Sequence, residues 1–237
     1  MKGKGTEMLL TGKTENTLKK AQSPRSGKKT RHQIIEAAAQ LFSQKGFSGA
    51  TTREIARAGK MSEANIFRYF ANKDQLYAAV FDEKGKKLNV QASLRKLRRL
   101  AEQRDEEIFF QELMKFILRH HRRHRDLIRM IMFGTLEGNE IARNFVRQQF
   151  QPLRDFLTEY IAERQRIGVF RGCNIQATIR AILAMPSQHA MMTELFGLSS
   201  YEVSDAEAIK TFTQTALEGL GNVSQTPDQE REVKENV

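Results

Sequence analysis

The sequence has no tryptophan, a single cysteine and only four prolines among its 237 residues. One cysteine, Cys173, excludes an internal disulfide and is typical of a protein in a reducing compartment, here expected to be the cytoplasm. Charged residues interrupt every long apolar segment, whereas a membrane-spanning helix needs about 20 apolar residues. The short apolar run at residues 8–10 is too small for a secretory signal. We therefore predict a soluble chain with no membrane partner.

Motifs of the common enzyme classes are also missing. The sequence contains no P-loop, no G-x-S-x-G, no H-E-x-x-H and no paired glycines between a strand pattern and a helix pattern. Cys173 and His189 have the chemistry of a nucleophile and a base, but a lone cysteine beside a glycine turn is usually structural. We predict a protein that is not an enzyme, with no catalytic residue and no cofactor.

What the sequence does contain is helical periodicity. Apolar residues recur at helical spacing in residues 31–45, 73–100, 108–137, 139–167, 175–196 and 205–220, and no β-branched run alternates for more than a few positions. The fold is therefore predicted to be all-α. Pro152 is expected either to lie in the first turn of a helix or to kink the helical region at residues 139–167. Pro186 is expected to kink or split the helix at residues 175–196, the most apolar of the chain.

Residues 51–76 predict three short elements in succession. Thr51 and Glu54 form a capping box at the start of a first helix, which Gly59 ends after two turns. Ser62 caps a second helix, and Asn72 ends that helix and caps a third. Two short helices joined by about three residues that include glycine form a helix-turn-helix, whose second member can enter the major groove of DNA.

At this point the sequence resembles the N-terminal domain of TetR-family transcriptional regulators, over residues 30–81. The resemblance rests on A-x-x-L-F at residues 38–42, K-G-F at 45–47, T-x-x-x-I-A at 51–56 and Y-F-x-N-K-D-x-L at 69–76. In three places the chain departs from the family. Lys60 occupies the turn position at which the family usually has glycine. A left-handed conformation of Lys60 would cost about 1–2 kcal/mol of folding free energy. Ala64 replaces a common glycine, and Phe67 replaces a tyrosine that bonds a phosphate.

The resemblance implies a helix-turn-helix DNA-binding domain at residues 29–76 and a larger helical effector-binding and dimerisation domain at 77–221. Base contacts are expected from the outward positions of the second helix, with Asn65 on adenine and Arg68 on guanine or a phosphate. Tyr69 is read either as a phosphate contact or as a core residue. The predicted DNA-binding residues are Thr51, Thr52, Arg53, Lys60, Ser62, Glu63, Ala64, Asn65, Arg68, Tyr69 and Lys73.

The formal charge of +11 is concentrated in a few segments. Residues 1–33 carry nine Lys and Arg against two Glu, so residues 1–28 are predicted to be a disordered basic tail, either beside DNA or as a dispensable extension. Residues 222–237 are predicted to be disordered as well. The basic runs at 84–88 and 95–100 are interpreted as solvated helix faces.

A further basic run, HHRRH, occupies residues 120–124. His120 and His124 have the i, i+4 spacing of two metal ligands, but no third ligand is evident and arginines crowd the site. We interpret the run as a solvated helix end and predict no metal site.

The larger domain is predicted to do two things. Its last two helices have too many apolar positions for one buried stripe, and resemblance to the family implies a homodimer through them. A small hydrophobic effector is expected to bind a pocket and release the protein, as a repressor, from a double-stranded DNA operator. The predicted pocket residues are Met114, Phe116, Ile117, Met130, Phe133, Phe156, Met185, His189 and Met192. An ordinary methionine-rich core would also explain a set of this composition.

One alternative from another class remains at this stage. A helical module that binds lipids or other hydrophobic molecules, without a transcriptional role, would explain the apolar helices and the basic tail equally well.

Overall fold

A computed structural model describes residues 24–198 and 203–221. Their helices are α1 (Pro24–Gly49), α2 (Thr52–Ala58), α3 (Glu63–Phe67), α4 (Lys73–Lys86), α5 (Val90–Glu102), α6 (Glu106–Arg123), α7 (Arg125–Leu136), α8 (Glu140–Arg166), α9 (Ile175–Ala190) with a π-helical turn (Met191–Leu195), and α10 (Asp205–Leu220). Within these two ranges the only strand-like pairing is an isolated bridge between Phe170 and Gly221. The all-α prediction is confirmed. None of the described helices combines the length and apolar character that a membrane span requires.

The predicted helix caps of the N-terminal region are confirmed. Thr51 and Glu54 form the capping box of α2, the Ser62 side chain accepts the N–H of Asn65 at the start of α3, and Asn72 caps α4. At the other end of the chain, Ser204 forms a capping box for α10, whose bounds are those predicted. These caps are confirmed because each is a local interaction within four residues of sequence.

The first helix is longer than predicted. It begins at Pro24 instead of residue 31, so the last five residues of the predicted tail, 24–28, are helical. Proline suits the first turn of a helix, where its missing N–H needs no partner, and these added turns carry no apolar stripe to indicate them. The remaining predicted tail residues, 1–23 and 222–237, lie outside the described residues. Gly46, in the K-G-F motif, interrupts the helix near its end with φ 74° and begins the turn that holds Phe47.

The single helix predicted over residues 73–100 is wrong. It is two helices, because α4 ends at Lys86 and α5 begins at Val90, with Asn89 left-handed at φ 49° between them. Gly85, within the basic run at 84–88, lies inside α4. A Cβ there would stand 2.8 Å from a ring carbon of Phe145, so this glycine allows α8 to approach closely.

The two helical prolines have smaller effects than expected. Pro152 lies inside the continuous helix α8, and α9 runs past Pro186 to Ala190 without being split. Pro186 is buried within this helix, which continues although proline cannot donate a backbone hydrogen bond. The change in winding comes later, at the π-helical turn that begins at Met191.

The buried side chains form two cores. The first core is formed by helices α1, α2, α3 and α4 together with α7 and the start of α8. It includes Phe42, Tyr77, Met130 and Phe145. The second joins α5, α6, α8, α9 and α10 around Phe109, Phe110 and Tyr160. The first core continues through α4 to Leu88, so the boundary predicted between residues 76 and 77 falls inside a helix that both parts share.

The run of histidines is not the solvated helix end that we predicted. His120 is only 9% exposed, because its i, i+4 spacing from Phe116 places both rings on one inward face of α6, 5.6 Å apart. His124 lies at the junction of α6 and α7, with its ring 5.0 Å from that of His120. The arginines of the run are exposed.

Candidate DNA interface and effector cavity

The turn between α2 and α3 has its left-handed residue at position 60, where TetR-family sequences usually have glycine, and not at Gly59. Lys60 is left-handed at φ 53°, whereas the preceding Gly59 has φ −79° and does not need to be glycine for its backbone. The Met61 N–H donates to the Ala56 carbonyl at 2.9 Å, which closes the turn. Lys60 is exposed, so its charge stands beside the helix that is expected to read DNA.

The outward face of α3 carries three exposed side chains. Ala64 and Arg68 are exposed as predicted, and Phe67 is 47% exposed, which is unusual for a large apolar residue. Asn65 is half-buried. Ile66 faces inward and is 1% exposed, which fixes the rotation of the helix.

The carboxylate of Glu63 is not free to act on a base. The Thr52 hydroxyl donates to Glu63 Oε1 at 2.5 Å, and Arg53 Nε lies 4.0 Å from Glu63 Oε2. Three predicted DNA-binding residues therefore hold one another across α2 and α3. The Thr52–Glu63 hydrogen bond links α2 to α3, and Arg53 lies beside an acid that would otherwise repel DNA phosphates.

The predicted phosphate contacts surround α3. The Thr51 hydroxyl is bonded to Glu54, and the Ser62 side chain is used as a cap. The Lys73 ammonium, in the first turn of α4, lies 4.4 Å from the centre of the Phe47 ring, a cation–π contact that fixes its position. Tyr69 is half-buried and packs against the first core, which is compatible with both readings made from the sequence.

Helix α7 holds the DNA-facing domain through backbone atoms. The Arg129 guanidinium donates to the Ser43 carbonyl at 2.9 Å, and the Tyr77 hydroxyl donates to the Met130 carbonyl at 3.3 Å. Gly134 makes the second contact possible, because a Cβ there would stand 2.5 Å from the Tyr77 hydroxyl oxygen. Sequence patterns do not indicate these contacts, because they join residues far apart in the chain.

The nine predicted pocket residues do not line one pocket. Phe116 and Ile117 line an apolar cavity, and Met185, His189 and Met192 line an open groove between α9 and α10. Met114 and Phe156 are packed in the second core, Met130 in the first, and the Arg129 guanidinium covers the Phe133 ring. Helical periodicity identifies an inward face but not the helix that packs against it, so the sequence could not show which of these residues lie together.

The cavity has a volume of about 120 Å³ and lies between four parts of the fold. Its apolar lining is Leu88 and Val90 at the α4–α5 connection, Phe116 and Ile117 on α6, Phe150 and Leu153 on α8, and Leu183 on α9. The polar lining residues are His120, His121, Gln149 and Ser187. Apart from Phe116 and Ile117, the sequence analysis assigned none of them to a pocket.

Both histidines of the cavity are held in the neutral form. Burial lowers the pKa of His120 to about 4, and the neighbouring His124 and His121 add to this effect. Burial also lowers the pKa of His121 below its usual value, although a hydrogen bond with the Ile117 carbonyl opposes the shift. The cavity is therefore uncharged at neutral pH.

One group of side chains has the composition of a metal site. Ligand atoms of His32, Glu36 and Glu83 lie within 4.8 Å of one another between α1 and α4. Their oxygens already have cationic partners, because Lys84 and Lys87 pair with Glu36, and Arg31 pairs with Glu83. We interpret the group as an ion-pair network that joins the two helices.

Comparison with known proteins agrees with this geometry. The sequence model for "Bacterial regulatory proteins, tetR family" matches residues 34–80. The probable HTH-type transcriptional regulator YttP of Bacillus subtilis is 30% identical, over 54% of this chain and 68% of the relative. The HTH-type transcriptional repressor NicS of Pseudomonas putida is 28% identical, over 48% of this chain and 52% of the relative, about half its length.

The fold has solved counterparts as well. The structure of AibR, in complex with isovaleryl coenzyme A and operator DNA, superposes with a TM-score of 0.60 at 18% identity and covers 78% of this chain and 97% of AibR. The chain belongs to the TetR family. It is a DNA-binding transcriptional regulator with a helix-turn-helix, and it is not an enzyme. The alternative of a lipid-binding module without a transcriptional role is therefore not retained.

Proposed function

We propose that this protein is a cytoplasmic, homodimeric repressor that a small hydrophobic molecule releases from its operator. Residues 29–76 bind DNA, and residues 77–221 bind the effector and form the dimer. Two relatives support parts of the proposal, since NicS is named a repressor and AibR is named as a complex with both a ligand and operator DNA.

The observation that carries the proposal is the position of the cavity. Leu88 and Val90, on either side of the left-handed Asn89, both line it. A molecule in the cavity therefore touches the point where α4, which packs on the DNA-binding helices, joins the rest of the larger domain. An effector that fits better when this joint has a different angle shifts the population toward that conformation. A coupling of about 1–3 kcal/mol would loosen the operator about 5- to 150-fold.

The DNA contacts follow from the exposed groups around α3. Arg68, Asn65 and Ala64 face bases, and Phe67 adds an apolar contact suited to a thymine methyl group. Phosphate contacts are assigned to Lys60, Lys73, Thr51, Thr52, Arg53, Ser62 and Tyr69, whereas Glu63 orients Thr52 and Arg53.

The dimer is assigned to α9 and α10. The open groove between them, of about 570 Å³, is lined by Met185, Met192, Val203 and Phe212 among others, and Val203 is 49% exposed. A second copy would cover this apolar surface. Two-fold symmetry then requires a roughly palindromic operator whose half-sites are about 34 Å apart, one turn of DNA.

The direct test starts with selection of binding sites from random DNA by the full chain. The selected site should be a palindrome, and its affinity should fall steeply with salt. A screen of hydrophobic compounds by thermal shift then supplies effectors for titration against the bound operator. Compounds that raise the melting temperature and leave operator affinity unchanged would contradict release by a ligand. Compounds that tighten operator binding would make the protein a ligand-dependent rather than a ligand-released regulator.

A further inference from the structure

The chemistry of the cavity restricts what the effector can be, provided that the cavity is the effector site proposed above. None of the residues that line it is Lys, Arg, Asp or Glu. A phosphate, carboxylate or ammonium group placed there would have no charged partner. An unpaired buried ion costs several kcal/mol, so a charged ligand is disfavoured.

The cavity nevertheless offers a defined hydrogen-bond acceptor. His121 Nδ1 lies 2.9 Å from the carbonyl oxygen of Ile117, and only a protonated Nδ1 can donate to that carbonyl. In the neutral ring Nε2 then keeps its lone pair and accepts. Because His121 lines the cavity, we assign its Nε2 as the acceptor for a ligand that carries an O–H or N–H donor.

The size of the cavity sets the third condition. Its volume of about 120 Å³ is comparable with that of an engineered apolar cavity of about 150 Å³ that binds benzene. Phe116 and Phe150 supply aromatic surface against which a ring can pack. An acyl chain with a nucleotide headgroup exceeds this space and brings phosphates that the lining residues cannot pair.

We propose that the effector is an uncharged molecule about the size of one aromatic ring that donates a single hydrogen bond to His121, as a phenol does. This class differs from the coenzyme A thioester named with AibR.

The test uses matched probes on the full chain at neutral pH. Phenol is compared by calorimetry with benzene, which lacks the donor, with benzoate and benzylamine, which carry opposite charges on the same ring, and with isovaleryl coenzyme A. Phenol should bind at least about tenfold more tightly than each of the others, the factor expected for about 1.4 kcal/mol. Equal or tighter binding of either charged ring, or of the thioester, would overturn the proposal.

Variants then test whether phenol binds in this cavity. Leu183→Trp should fill the cavity and abolish phenol binding, whereas Ile108→Trp, at an exposed position on α6, should leave it unchanged. His121→Phe keeps an aromatic ring but removes the acceptor, so it should lose the preference for phenol over benzene even if Leu183→Trp does not fold. Phenol binding that survives a folded Leu183→Trp, or a preference that survives His121→Phe, would overturn the assignment.

The experiments distinguish an error in the proposed ligand class from an error in the proposed release from DNA. If phenol binds as described but the operator stays bound, the ligand class holds and release is wrong. If isovaleryl coenzyme A frees the operator while no neutral ring binds, release holds and the ligand class is wrong.

Discussion

Glu137, at the end of α7, accepts the backbone N–H of Phe47 at 3.0 Å, in the turn that leads into the helix-turn-helix. The same carboxylate accepts the N–H of Ser48 at 3.2 Å. Gly46 makes this possible, because a Cβ at that position would stand 2.5 Å from Glu137 Oε1. Phe47 in turn lies under the ammonium of Lys73. One acid of the larger domain thus positions a turn and, through it, a residue assigned to a DNA phosphate.

Replacing Glu137 should weaken DNA binding without any loss of DNA contacts. In Glu137→Ala the two N–H groups lose a charged acceptor, and the exposed site allows water to replace it in part. We expect operator affinity to fall about fivefold, or about 1 kcal/mol. Glu140→Ala is the control, because Glu140 forms only an exposed pair with Arg143. Fluorescence anisotropy with a labelled operator measures both, and equal affinity of Glu137→Ala and wild type would refute the positioning role.

Lys60 should show a conflict between stability and DNA binding. Lys60→Gly removes a left-handed strain of about 1–2 kcal/mol at an entropic cost of about 0.5–1 kcal/mol, so the free energy of unfolding should rise by about 1 kcal/mol. Lys60→Ala removes the same charge and keeps the strain, so its stability should not rise. Urea unfolding separates the two variants. Both should bind the operator more weakly and to the same extent, and a normal affinity would remove Lys60 from the interface.

Two residues assigned to DNA should respond differently to operator sequence. Lys73→Ala should weaken binding to all sequences alike and lower the salt slope by about one, because it removes one phosphate contact. Asn65→Ala should instead reduce discrimination among bases at one position of each half-site. Lys86→Ala, at the far end of α4 in a pair with Asp82, is the control for charge. The placement of α3 in the groove is wrong if both variants bind as wild type does.

A charge in the α9–α10 groove should prevent dimerisation. Met192→Glu places a carboxylate in the apolar surface that a second copy would cover, at a cost of several kcal/mol if it stays unpaired. Light scattering at micromolar concentration should show a dimer for the wild type and a monomer for the variant. Ile108→Glu, on another exposed apolar position, should remain dimeric. A monomeric wild type would disprove the interface outright.

Acid should destabilise the fold through His120. The unfolded chain takes up a proton at this residue near pH 6.5, whereas the folded chain does so only near pH 4, so protons favour unfolding between these values. This residue alone should lower the free energy of unfolding by about 2 kcal/mol from pH 7 to pH 5. Urea titrations at several pH values measure the loss, and His120→Gln should abolish part of it. An identical pH dependence in the variant would mean that His120 is not the group responsible.

The sequence predicted those features that depend on neighbours in the chain. The caps at Thr51, Ser62 and Asn72 were identified because cap and partner lie within a few residues of each other. The break at Asn89 was missed, because asparagine can adopt a left-handed conformation without the glycine or proline that usually marks a helix end.

In the candidate site, too, features that depend on local sequence were easier to predict than features that depend on long-range packing. The exposed Arg68 follows from local geometry and was predicted, whereas the sequence left open whether Lys60 is left-handed. The cavity depends on how α6, α8 and α9 pack around the α4–α5 connection, so that two of its lining residues were predicted and His121, Leu183 and Ser187 were not. The contact between Glu137 and Phe47 joins residues 90 positions apart, which no periodicity reveals.

The break at Asn89 also changes the mechanics expected of the proposed switch. A continuous helix over residues 73–100 would be a lever about 42 Å long, whereas α4 alone is about 21 Å long at 1.5 Å per residue. Turning the shorter lever by 10° moves its end by about 4 Å, half the travel of the longer one. A given displacement of the recognition helices therefore needs twice the rotation of α4. This rotation would take place against α7, which contacts the DNA-binding domain through Ser43, Phe47 and Tyr77.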